Sequence, residues 1–439
     1  SNTSVATVDS NGLVKAINAG SSTITVTTED GKYSASCNVK VVIPVTSVSL
    51  NKTSLTLNKG KTATLTSTIS PSDATNKKVR WSSSNTSVAT VDSNGLVKAI
   101  NAGSSTITVT SDDGKYSASC NVKVIIPYVE PTSNRIAYKT NFSATRTGAV
   151  MQSWIVYKNY LYVTQRNGSI DVSKHYPAGF ITRIAKSAIT NSKYTVFTAA
   201  KYNEYVHLEK FGHMGSIAVE ETDGISYLWT GCNAVESDKY DVPTNFCRIP
   251  LSDVSFNGKL YKSTYGAVYN TYSSNAIAID NNKRILVLRS GGRGESVYTV
   301  YDLDDYIKNG KKGGDGATAK YSFKVVNKTL KMENGKSKTD ISWQGFAIYN
   351  NYVYIYEGNA QKDAKENEKT SGVFVSIWSI KGEKVIYRKN IGYPGKEDWE
   401  PEGIQVYKNL DGVSGAYIYI GFSNKDTTPR RHYIYRLGK

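Results

Sequence analysis

The first 41 residues, SNTSVATVDSNGLVKAINAGSSTITVTTEDGKYSASCNVKV, recur almost unchanged at 84–124. Two stretches this alike must fold alike, so this part of the chain is modular. The segment between them completes one unit from about Val45 to Ile126. It is rich in Thr, Val and Ser, alternates with period two, and is punctuated by Asn-Gly, Asp-Gly and Pro. That pattern predicts a small antiparallel sandwich. Residues 1–43 match only the later part of such a unit, and residues 44–127 match a whole one. Trp81 reads as an anchor of the sandwich core rather than a platform for a ligand. Cys37 and Cys120 hold the same place in the two copies. One cysteine per copy cannot pair within its own module, so each is expected to be a small buried apolar residue.

The stretch IIPYVEPTSN, from Ile125, carries two prolines among polar residues, and 128–134 is read as a linker. Residues 135–439 have another character. Tyr becomes frequent, Gly and Asn recur every few residues, and helical periodicity is nearly absent. The exception, YDLDDYIKNGKKG from Tyr301, has acidic residues in its first turn and Lys near its end, as a capped surface helix does. Its Asp cluster lacks calcium-loop spacing.

Within this region WQGFAIYNNYVYIYEG (Trp343 to Gly358) is a hairpin with an Asn-Asn turn. QSWIVYKNYLYVTQ from Gln152, GSIAVEETDGISYLWTG from Gly215, NAIAIDNNKRILVLR from Asn275 and EGIQVYKNLDGVSGAYIYIGF from Glu402 align on it. Each has two apolar residues two apart, a turn, and a second apolar strand. Five divergent units of about 60 residues, each with several strands, predict a β-propeller. The whole chain is thus expected to be all-β. NRIAYKTNFSA from Asn134 and RRHYIYRLGK from Arg430 read as strands that close one blade together, giving a complete ring that ends at Lys439.

The alignment places Gln152, Asn275, Gln344 and Glu402 in one structural column, with Gly215 and neighbouring His213 in the fifth place. At the start of innermost strands, such residues would face the central channel or its mouth. They form either a ring of amides bonding to one another and to channel water, or a ligand-binding ring, since amides offer many donors and acceptors without excess charge. The candidate ligand contacts are Gln152, His213, Asn275, Gln344 and Glu402. Trp343 and Trp399 are candidate aromatic platforms, and Trp154 reads as inter-blade core.

Two resemblances bear on function. VTSVSLNKTSLTLNKGKTATLT, VRWSSSNTSVATVDSNGLVKAINAGSSTITVT and SASCNVKV resemble the group 2 bacterial immunoglobulin-like domain over residues 1–127. That resemblance implies an extracellular protein whose modules act as spacers. KFGHMGSIAVEETDG, WQGFAIYNNYVYIYEG and EPEGIQV, in five-unit order over about 135–439, resemble the five-bladed propellers of helveticin-type bacteriocins, the teichoic-acid-associated propellers of Gram-positive bacteria and the receptor-binding proteins of their phages. The Gly-His-Gly usual there stands here as Gly212-His213-Met214. This resemblance implies binding to a cell-surface glycopolymer without fixing the ligand.

The chain carries 54 Lys+Arg against 37 Asp+Glu, a net charge of +17, with no long basic block. The excess suits a soluble basic surface or attraction to a polyanion. No recognition helix, zinc spacing or RNA-binding signature supports nucleic acid, and no apolar run approaches a membrane span. His175, His207, His213 and His432 are scattered without metal-ligand spacing, and no cofactor motif is read. Cys232 and Cys247, on expected neighbouring strands, are candidates for a disulfide. Glu220, Asp340, Asp398, Glu400 and Glu402 are the carboxylates that a glycan-cleaving propeller would need. Only Glu402 falls in the column, and amides do not serve as acids or bases at neutral pH.

The expected function is therefore that of an adhesin-like surface or secreted bacterial protein that binds a glycan or anionic cell-wall polymer without turning it over. The alternatives are a carbohydrate-active hydrolase or lyase, a bacteriocin-like toxin, and a binder of a host surface protein.

Overall fold

The computed structural model describes residues 1–129, 131, 135–137, 142–143, 149–167, 179–185, 204–208, 216–232, 245–256, 260–261, 267–270, 274–291, 295–310, 316–326, 330–331, 337–338, 343–358, 372–394, 399–408, 415–424 and 431–438. These are almost entirely strand and turn, and none of the helices among them is long and apolar enough to cross a membrane. The chain divides into two compact units, Ser1–Pro127 and Tyr128–Lys439.

In the first unit the alternating Thr/Val pattern becomes a sandwich. Ser117–Ile125 pairs with Gly103–Ser111, which pairs with Val79–Ser83, and Ser54–Asn58 runs parallel to Ser117–Ile125 on its other edge. Facing strands come from Ala89–Val91, Leu96–Ala99 and Thr62–Thr64. Alternation sends Ile107, Val109, Val122 and Val124 inward with Val97, Leu57 and Leu65, and Trp81 packs against that core. The DSNG turn forms because Asp92 Oδ1 accepts from the Asn94 and Leu96 amides at 2.9 and 2.8 Å. Asp9 does the same for Asn11 and Leu13 in the first copy. Cys120 is buried as expected. Cys37, expected to be buried, is exposed, because residues 1–43 hold only the later part of the unit and not the strands that enclose Cys120 in the second copy.

The second unit holds five blades among the described residues, antiparallel except that Leu260–Tyr261 joins Tyr205–Leu208 at the edge of one in parallel. Their innermost strands are Ala149–Tyr157, Ile217–Thr222, Ser274–Asp280, Trp343–Tyr349 and Trp399–Lys408, for blades 1 to 5. Each packs beside the next, and the fifth packs against the first, so the ring closes. Arg135–Ala137 pairs with Arg431–Leu437 in blade 5, as the terminal strands predict. One apolar cluster fills each of the five seams. Trp154, fully buried, sits between blades 1 and 5. A fully buried side chain of this size contributes roughly 1.5–3 kcal/mol as an upper figure, so five such seams hold the ring. The helix Leu303–Asn309 is capped as predicted, its Asp302 side chain accepting from the Asp304 and Asp305 amides. Its Leu303 and Tyr306 are buried in the seam of blades 2 and 3, so it packs as well as caps.

Two expectations are corrected. The stretch read as a linker is docked at its start: the Val129 amide donates to Tyr354 Oη at 2.8 Å, and Tyr128 meets Tyr352 edge-on at 5.7 Å. Prolines mark a break in regular structure but do not prevent the residues between them from packing. Cys232 and Cys247 are thiols, not a disulfide. Thr230 lies opposite Cys247, and Cys232 opposite Asn245. The cysteines are therefore diagonal neighbours on adjacent strands, a spacing of roughly 7–8 Å that a bridge does not span without backbone movement. They meet by a thiol hydrogen bond in the seam of blades 1 and 2.

Candidate functional site

The column read from the sequence has a backbone counterpart. In blade 1 the pairing jumps from Met151 opposite Gln165 to Ser153 opposite Thr164, which leaves Gln152 as the extra residue of a β-bulge. Blade 3 jumps from Ser274 to Ala276, around Asn275. Blade 4 jumps from Trp343 to Gly345, around Gln344. In blade 5 Glu402 and Gly403 face Gly421 alone, between Pro401 and Ile404. A bulge frees one residue from the ladder and re-aims its side chain. Four innermost strands thus carry the same local distortion at the same point, with an amide or carboxylate at each. His213 and Gly215 lie outside the described residues.

The inner strands are very close at this level. A Cβ on Gly345 of blade 4 would stand 3.2 Å from Gly403 Cα in blade 5, and a Cβ on Gly403 would stand 3.1 Å from the Trp154 indole in blade 1. Gly403 also has φ +75, which side-chain-bearing residues rarely adopt. Gln152 is 9% exposed and Glu402 5%, and Gln344 is half-buried. The Gln344 amide donates to the Gly358 carbonyl at 2.8 Å, and the Gln152 amide to its neighbour Met151 at 3.2 Å. Among the described residues neither amide oxygen accepts a hydrogen bond, so each is fixed by its donor and keeps an acceptor in hand.

Behind the column lies a belt of buried polar groups that the sequence reading missed. Thr182 donates to Gln165 at 2.8 Å in blade 1. Arg289 donates to Ser296 at 3.0 and 2.8 Å in blade 3. Arg388 pairs with Glu357 at 3.1 and 3.3 Å in blade 4. Ser423 and His432 meet at 2.8 Å in blade 5. The signal was present: in four of the five hairpins the second strand ends its apolar run in Gln165, Arg289, Glu357 or Ser423. Burial pushes the Arg289 guanidinium below its ordinary range, while the Tyr298 phenol and the nearby Glu357 act the other way.

The aromatic candidates divide. Trp343 is half-buried, donates to Tyr298 Oη at 3.2 Å, and has Arg289 over its ring at 4.4 Å. Trp399 is 5% exposed, with Phe422 and Tyr433 edge-on at 6.2 and 5.0 Å. Its ring is covered by packing, which corrects the expectation of an open platform. Of the other carboxylates, Glu220 is fully buried and accepts from Arg248, Trp229 and Thr222. Asp340 and Asp398 lie outside the described residues, and Glu400 is half-buried at the start of its strand.

The Bacterial Ig-like domain (group 2) model matches residues 1–39 and 44–122. The model of the Phage 5-bladed beta propeller receptor binding platform domain matches residues 196–436, more than half of the chain. The chain belongs to that family. That family's description is of a five-bladed propeller, the number of blades found here. Among curated proteins, an uncharacterized protein of Clostridium acetobutylicum is 40% identical over 126 residues, 28% of this chain and 13% of its own length. The kappa-carrageenase of Pseudoalteromonas carrageenovora is 55% identical over 74 residues, 17% of this chain and 19% of its own. The chain thus spans less than a fifth of the length of either relative. Among solved structures, a GH43_1 enzyme from Xanthomonas citri aligns over 70% of this chain and 91% of its own at 9% identity, with a TM-score of 0.36, too low to carry an argument.

Proposed function

We propose that the platform propeller is the receptor-binding part of an extracellular surface-recognition protein. Its ligand is a carbohydrate or anionic cell-wall glycopolymer of the teichoic-acid kind, and the immunoglobulin-like modules serve as spacers. The observation that supports this reading is the bulge repeated in four of the five innermost strands, with Gln152, Asn275, Gln344 or Glu402 at each. His213, just ahead of the innermost strand of blade 2 in sequence, completes the proposed set by sequence alignment. A sugar chain presents many hydroxyls, and a ring of amide oxygens and a carboxylate suits them. The location of the protein outside the cell follows from the same reading.

Glycan and cell-wall polymer arrays probed with the full chain test this, followed by substitutions at the column. Gln344→Ala and Glu402→Gln should each weaken binding by about 0.5–1.5 kcal/mol, the usual worth of one hydrogen bond. The polymer should be recovered intact. New reducing ends or fragments with the parent chain, lost in Glu402→Gln while binding persists, would instead establish the hydrolase or lyase reading.

Charge gives a second test. If the excess of 17 positive charges attracts an anionic polymer, affinity should fall steeply with salt, because the Debye length shrinks from about 10 Å at 0.1 M to about 3 Å at 1 M. Binding that is flat over this range would assign recognition to neutral sugar contacts.

A further inference from the structure

Three of the bulged strands meet through their backbones. A Cβ on Gly345, which follows Gln344, would stand 3.2 Å from the Cα of Gly403, which follows Glu402. A Cβ on Gly403 would stand 3.4 Å from the Cα of Ser153, which follows Gln152. The bulged side chains of blades 4, 5 and 1 therefore start one residue away from these points of contact.

Chemistry fixes which end of each amide remains available. The Gln344 side chain meets the Gly358 carbonyl at 2.8 Å, and the Gln152 side chain meets the Met151 carbonyl at 3.2 Å. Only an NH2 group can face a carbonyl oxygen, so in both residues the NH2 is turned to the backbone and the oxygen the other way. Gln152 is 9% exposed, yet its oxygen is neither paired nor sealed from solvent. Glu402, 5% exposed, adds a carboxylate, which when ionised only accepts. Blades 1, 4 and 5 thus bring acceptor oxygens together.

The occupant of such a set must supply donors. A hydroxyl brings one donor and no charge. A calcium ion takes about six to eight oxygens, more than these side chains offer. A primary ammonium brings three N–H donors, no lone pair and a positive charge, which matches two amide oxygens and a carboxylate. We infer that the group held at this column is a primary ammonium, carried by an unacetylated amino sugar, with its N–H donors directed at Gln152, Gln344 and Glu402. The inference rests on the reading of the propeller as a binder of glycans. It also divides the work of recognition. The basic surface attracts the anionic groups of a polymer, and the column takes the one group that such a surface repels.

The test titrates the full chain with an oligomer of glucosamine and with the same oligomer fully N-acetylated, at fixed salt. Acetylation turns an ammonium with three donors into a neutral amide with one. The free-amine oligomer should bind about tenfold more tightly or better, in spite of the protein's net charge of +17. Glu402→Gln keeps the acceptor and removes the charge, and should abolish most of that preference while urea unfolding shows the propeller intact. Gln344→Lys should do the same by placing the chain's own ammonium among the acceptors. Four results overturn the inference: no binding of the free-amine oligomer, an equal or reversed preference, a full preference in folded Glu402→Gln, or calcium bound at the column more tightly than the amine, which would make it a metal site. Failure of the wider reading looks different. A preference for the free amine with no cell-wall polymer bound would keep the ammonium site and remove the polymer. A polymer bound equally before and after N-acetylation would keep the polymer and remove the ammonium site.

Discussion

Glu220→Ala is expected to cost the propeller about 3–5 kcal/mol, the range for removing one partner of a buried ion pair. Glu220 is fully buried, and its two oxygens take Arg248 Nε at 2.6 Å and Nη2 at 2.8 Å. The same carboxylate accepts from the Trp229 indole at 2.8 Å and from the Thr222 hydroxyl. Deleting it strands a guanidinium that is largely buried against Tyr227, with its Cζ 3.3 Å from that ring, and leaves the fully buried Trp229 without this acceptor. Arg248→Met should be nearly as costly, since it leaves a buried carboxylate. Glu220→Leu with Arg248→Met should recover most of the loss, because an apolar pair of similar volume replaces two desolvated charges. Urea unfolding of the parent, Glu220→Leu, Arg248→Met and their double variant, followed by tryptophan emission, gives the coupling. Additive losses in the double variant would mean that the two side chains do not act as a pair.

The pair has a pH signature. Burial alone pushes the Glu220 carboxyl up, but the bonds from Arg248, Thr222 and Trp229 outweigh it and hold the group below its ordinary 4.5. A carboxyl lowered on folding stabilises fully above its unfolded pKa, and the contribution fades as pH falls through the folded value. Stability should therefore drop below about pH 4.5 more steeply in the parent than in Glu220→Gln.

Much of this architecture was legible in the residues. The Asn-Asn turn is a hairpin whose Asn350 and Asn351 have φ of 52 and 67, the left-handed pair that a two-residue loop demands. Period-two alternation identified the inner strands, and the column was read from the residue leading each aligned apolar run. What could not be read is whatever depends on a neighbour distant in sequence. The bulge at Gln344 exists only relative to Glu357 and Tyr356 across the ladder. The cover on Trp399 comes from Phe422 and Tyr433, and the anchor of Val129 from Tyr354. Cys120 is buried by residues distant from it in sequence, such as Leu57 and Leu65 of the same core, which local sequence alone does not reveal.

Gly421→Ala should be the most damaging small substitution at the candidate site. Gly421 is the single residue facing the Glu402–Gly403 bulge. A Cβ there would lie 2.0 Å from the Glu402 carbonyl oxygen, 2.8 Å from Met151 Cε and 2.9 Å from Trp154 Nε1. The methionine can yield, but the carbonyl and the fully buried indole cannot both do so, since they belong to blades 5 and 1 where the ring closes. Overpacking a filled core costs roughly 1–3 kcal/mol, and backbone contact places this case at about 3 kcal/mol or more. Gly403→Ala meets the indole less severely, at 3.1 Å, and adds the strain of φ +75. It should cost about 1–2 kcal/mol. The two variants also separate stability from recognition. If the bulge aims Glu402 at the ligand, Gly421→Ala should lose polymer binding even at temperatures where the propeller remains folded by tryptophan emission. Full binding by a folded Gly421→Ala protein would move the recognition surface away from the bulged column.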